Sequence, residues 1–80
     1  YFQPSVNEEK LDHKVDLTEK QLLVIKHITK GNSYNKTAQL MGVTDHGVRF
    51  HIRNIYKKLN IHSKSELVNL YVEGYFKKYF

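Results

Sequence analysis

Residues 44–59, TDHGVRFHIRNIYKKL, most restrict what this chain can fold into, because they carry a helical period on two opposed faces. At 3.6 residues per turn, Val48, Ile52, Ile55, Tyr56 and Leu59 gather on one side and form a face that must be buried. His46, Arg49, Phe50, Arg53 and Lys57 gather broadly opposite. Thr44 suits the N-cap, where its hydroxyl accepts one of the N–H groups that the first turn leaves unpaired. Such a helix needs other elements against its apolar side and leaves a cationic side free.

The rest of the chain supplies those elements as further short helices. In "LTEKQL", Thr18 and Gln21 have the spacing of a capping box, and Leu17 and Leu22 that of a hydrophobic staple. Val24, Ile25 and Ile28 continue a helical stripe, and Gly31 is the natural stop. Ser33 caps a second helix through "YNKTAQLM", with Ala38 and Met41 inward and Tyr34 and Thr37 close to that stripe. Gly42-Val43 makes a tight break before Thr44. Beyond Leu59, Ser63 and Glu66 predict a second capping box, and the last helix turns Leu67, Leu70 and Tyr71 inward before fading near Gly74. The expectation is an all-α domain of four short helices over residues 17–74. Residues 1–16 are polar, hold the only proline and read as a flexible linker or arm. Tyr1-Phe2-Gln3 matches the end of a protease-cleavable tag, while Pro4 would hinder cleavage there, so a tag remnant and a native origin both stand. Residues 75–80, YFKKYF, form an aromatic and basic tail with no definite period.

Composition narrows the chemistry. The 80 residues suffice for one small domain, and 40% hydrophobic content suits a packed one. Thirteen Lys and Arg against eight Asp and Glu leave a formal charge of +5, which favours nucleic acid or an anionic surface as partner. The absence of cysteine removes disulfides, thiolate zinc sites and cysteine nucleophiles. His46 and His51 point to different sides of their helix and His13, His27 and His62 are scattered, so no metal site is expected. The acids are dispersed, with no nucleophile–base pairing and no glycine-rich phosphate loop, so neither an enzyme nor a cofactor is expected. No apolar run approaches the length needed to span a bilayer.

Two short helices joined by "GVT", the second of them long and cationic outside, have the form of a helix-turn-helix reader of double-stranded DNA. Arginine donates two parallel bonds to O6 and N7 of guanine, so Arg49 and Arg53 are the base-reading candidates, and Phe50 between them suits a thymine methyl. Lys57 lies further along and suits a phosphate. The free N–H groups near Thr44 to His46 suit another. A solvated basic face explains the same pattern, and spacing alone leaves both readings open.

The stretches "LTEKQ", "GNSYNKTAQLMGVT", "VRFHIRNIYKKL" and "SKSELV" resemble, in order and without gaps, the LuxR/GerE-type helix-turn-helix domain. That domain is the C-terminal output module of many bacterial regulators, NarL/FixJ-type response regulators among them. The resemblance runs from Leu17 to about Glu73. It implies a DNA-binding domain whose third helix reads bases with Arg49, Phe50 and Arg53, with Lys57 and Thr44 near phosphates. It also implies an N-terminal regulatory, receiver-like module in the parent chain and a bacterial cytoplasmic setting on the nucleoid. A fourth helix that pairs two subunits is implied as well, and Val68 and Val72, four apart and off the core stripe, are the candidate homodimer seam. Packing of those valines under Tyr75 and Phe76 is the alternative. Four positions depart from the pattern: Gln21 and Lys36 stand where glutamate is usual, Gly47 where threonine is usual, and Thr37 where a larger apolar residue is usual. Lys36 suits an added phosphate contact. A second functional class stays open, in which the basic face docks an acidic protein rather than DNA.

Overall fold

The computed structural model describes residues 15–80, so the expected arm over 1–16 lies outside the described residues save for its last two. Among the described residues there are four α-helices and no strand: α1 (Glu19–Thr29), α2 (Tyr34–Met41), α3 (Asp45–Leu59) and α4 (Lys64–Val72). A short 3-10 turn, Tyr75–Lys78, follows. No described helix is long and apolar enough to cross a membrane.

Local chemistry sets the helix ends. Thr18 Oγ1 accepts the Gln21 N–H at 3.1 Å and Gln21 Oε1 accepts the Thr18 N–H at 3.0 Å, which is the reciprocal box expected of this pair. Ser33 caps α2 through the Lys36 N–H at 3.0 Å, and Thr44 caps α3 through the Gly47 N–H at 3.0 Å. Between α2 and α3 the chain reverses at Gly42, whose φ of 71° lies in the left-handed region that a side chain disfavours. Asn60 closes α3 in the same region at φ 56°, a conformation that asparagine tolerates better than most residues.

The second expected box differs in detail. Ser63 Oγ accepts the Glu66 N–H at 3.3 Å, but the Glu66 carboxylate accepts the N–H of His62 at 2.9 Å, one residue earlier than a reciprocal box requires. The two caps differ in backbone angle, with Thr18 at φ −74° and Ser63 at φ −150°.

The core joins every element. Val24, Ile25 and Ile28 of α1 meet Ala38 of α2, Val48, Ile52 and Ile55 of α3, and Leu67 of α4, with Leu17 closing the lower end. Helix α1 is central and packs against the other three, while α2 and α3 pack on each other. Burial of each of the valine, leucine and isoleucine side chains stabilises the fold by roughly 1.5–3 kcal/mol before chain entropy is counted. Thr37 is also fully buried, and its Oγ1 has no hydrogen-bond partner.

Two expectations about the C-terminal end are corrected. Tyr71, expected inward, is 44% exposed, while Leu70 packs against the core as expected. The 3-10 turn instead brings Phe76 into the core at 1% exposure, so an aromatic from beyond α4 takes the large apolar role. The packed unit therefore does not stop at Gly74. Val15, Tyr75 and Tyr79 also rest against the core, and the Tyr79 hydroxyl donates to the Val15 carbonyl at 2.7 Å. This bond ties the last turn to the segment that leads into α1.

Candidate nucleic-acid interface

Helix α3 owes its orientation to its inner face. Val48, Ile52 and Ile55 are buried, and Tyr56 and Leu59 are partly buried against the same core. Arg49, Phe50, Arg53 and Lys57 are all exposed on the outer side, as the helical period requires. Phe50 is 52% exposed, a large apolar group left in water between two arginines, and its ring meets His51 edge-on at 5.8 Å. Arg53 and Lys57 line an open groove with Tyr56, Asn60, Ile61 and His62. Arg49 lies differently: its guanidinium carbon stands 5.3 Å from the centroid of the Tyr34 ring, at the start of α2.

The start of α3 is more mixed in charge. Thr44 is exposed, but its oxygen already accepts the Gly47 N–H, which leaves its hydroxyl hydrogen free to donate. His46 is exposed beside it. Asp45 occupies the first helical position, where the helix dipole favours a carboxylate, and its Oδ1 is buried with no hydrogen-bond partner. A phosphate at this end would meet that negative charge as well as the free N–H groups. Lys36 is exposed in the first turn of α2.

Lys58, next to Lys57, serves the fold. Its Nζ donates to the Asp16 carbonyl at 2.6 Å and to Gln21 Oε1 at 3.0 Å, joining α3 to the capped start of α1. Gln21 is 5% exposed, so its amide oxygen serves the N-cap and the lysine together. Burial, followed by the nearby Tyr34 side chain, holds the Tyr56 phenol well above its ordinary range. Neither the Lys58 bridge nor the Tyr34–Arg49 stack has a signal in the periodicity, since each joins different elements.

On α4, Val72 is 75% exposed and is not covered by the tail, while Val68 is half-buried. Val72 borders a shallow apolar groove with Tyr71, Phe76, Lys77 and Phe80. Among the described residues no three His, Asp or Glu side chains gather where a metal ion could be held.

Two helices crossing at a glycine turn, the second buried along one side and cationic along the other, define a helix-turn-helix domain. Residues 15–71 match the family model described as "Bacterial regulatory proteins, luxR family". The chain is 36% identical over 52 residues to the glycerol metabolism activator of Pseudomonas putida, a match covering 65% of this chain and 24% of that protein. It is 33% identical over 63 residues to the nitrate/nitrite response regulator protein homolog of Haemophilus influenzae, covering 78% of this chain and 30% of that protein. It is 32% identical over 57 residues to the nitrate/nitrite response regulator protein NarP of Escherichia coli, covering 71% and 26%. No solved structure matches the chain at comparable significance. The chain belongs to the luxR family of bacterial regulatory proteins, as a helix-turn-helix DNA-binding domain. The match covers less than a third of the length of each of these relatives.

Proposed function

We propose that this domain is the output module of a bacterial response regulator and reads double-stranded DNA in a sequence-specific way, with α3 in the major groove. The observation that carries the reading is the outer face of α3, where Arg49, Phe50 and Arg53 are exposed broadly opposite buried Val48, Ile52 and Ile55. Two guanidinium groups flanking an apolar ring supply bidentate donors for guanine and a contact for a thymine methyl. Lys57, Lys36, His46 and the Thr44 hydroxyl flank that face and suit phosphates, which position the helix without reading sequence. The charge of +5 supplies the salt-dependent, sequence-independent part of the affinity.

Two copies bind adjacent half-sites, paired through α4 at Val68 and Val72. The exposed edge at Val72 supports this seam. In the parent chain a receiver-like module precedes the domain and controls pairing, a reading supported by relatives that are named response regulators and of which the match covers less than a third. The setting is the bacterial cytoplasm, on the nucleoid.

Selection of bound fragments from a random duplex pool tests the whole proposal. The expected result is an inverted pair of enriched half-sites whose centres lie about 10 bp apart. Enrichment of no sequence, together with binding to an acidic protein, would move the basic face to protein recognition.

A further inference from the structure

Of the two arginines assigned to base reading, Arg53 lines an open groove, whereas Arg49 is stacked. Its guanidinium carbon lies 5.3 Å from the centre of the Tyr34 ring. Tyr34 opens α2, where Ser33 caps the helix, and is half-buried against the core. The ring is therefore held by its packing against the core. An aromatic face attracts a guanidinium through its quadrupole, and stacking restricts a long side chain that is otherwise free to rotate. Order imposed before binding need not be imposed during it.

We infer that Tyr34 is a positioning residue for DNA reading: its ring holds the Arg49 guanidinium in place and sets how strongly that arginine discriminates its base pair. The inference rests on the proposed reading of α3 as the DNA-reading helix. Tyr34 itself need touch no base, and it lies outside the helix that does. The residue to its N-terminal side fixes the cap of α2, so the orientation of that helix sets where the ring stands.

The test compares Arg49→Ala, Tyr34→Leu and Tyr34→Phe on a selected site and on sites altered one base pair at a time, with thermal melts in parallel. Arg49→Ala should erase preference at one base pair. Tyr34→Leu should reduce preference at that same base pair about 2–5-fold and leave the base pair read by Arg53 unchanged. Tyr34→Phe keeps the ring and should keep the preference. In an Arg49→Ala background, Tyr34→Leu should have no further effect on preference. Tyr34→Met fills similar space without a ring and replaces the leucine variant if that one is too unstable. Unchanged or sharpened preference in the ringless variants, or an equal loss at every base pair, would overturn the inference while leaving the DNA reading intact. If Arg49→Ala alters no preference at all, Arg49 is no base reader and the inference falls with that assignment.

Discussion

Arg53 and Lys57 are four residues apart and share one groove, yet their chemistry separates them. Arg53→Ala should cost about 1–3 kcal/mol on a specific site and relax preference at one base pair. Equal loss on specific and random duplexes would make Arg53 a phosphate contact. Lys57→Ala should weaken binding to all sequences alike and lower the slope of log affinity against log salt by about one. A slope left unchanged would remove Lys57 from the interface. Thr37 tests the interior. Its hydroxyl is buried with no partner, at a position where the family pattern has a larger apolar residue. Thr37→Val keeps the shape, removes the orphaned group and should raise stability by about 1 kcal/mol in a urea melt. A clear loss would mean that the hydroxyl is hydrogen-bonded in solution. Gly47 is a milder case. A Cβ there would meet Thr44 Oγ1 at 3.4 Å, an ordinary contact, so no close approach demands the missing side chain. Periodicity places Val48, Ile52 and Ile55 inside and Arg49, Phe50 and Arg53 outside, and the burial agrees. It could not find the Tyr34 ring beneath Arg49, because that contact depends on how two helices cross.

At the scale of helices, caps decide the ends and one cross-link decides how α3 meets α1. Thr18, Ser33, Thr44 and Ser63 each accept an N–H in the first turn of the helix they precede. These ends are legible because a cap is a matter of residues three apart. Lys58 is less so. It lies beside Lys57 in a cationic run, and only the packing of α3 on α1 turns it toward Gln21 and Asp16. The family pattern has glutamate at position 21, which would meet that lysine with a full charge. Gln21→Glu should therefore stabilise the domain by roughly 0.5–1 kcal/mol at neutral pH, through a charge-assisted bond and a favourable charge in the first turn. The partnered carboxylate is held below its ordinary range in the folded state, so the gain is present above about pH 4.3 and lost as pH falls below it. Thermal melts of both forms at pH 7 and pH 3 measure this. An equal gain at the two pH values would rule out the charge as its source.

The described part of the molecule closes where the last turn meets Val15. Phe76, in a tail that shows no period, is buried in the core, and Tyr79 bonds to the carbonyl of Val15 across 64 residues. Phe76→Ala should cost about 3–5 kcal/mol, a large part of the ~5–15 kcal/mol that usually holds a domain together. A melt within 1 °C of the parent chain would show the turn to be detachable. The effect of Tyr71 should be far smaller, since it is 44% exposed. The sequence by itself determined the all-α class, the four helices among the described residues, their caps and the two faces of α3, because those properties repeat within a few residues. Only the tertiary structure decided that Phe76 rather than Tyr71 fills the core, that Lys58 braces α1, and that Tyr34 carries Arg49. Each of those pairings joins residues on different elements, and no local period records where one helix will cross another.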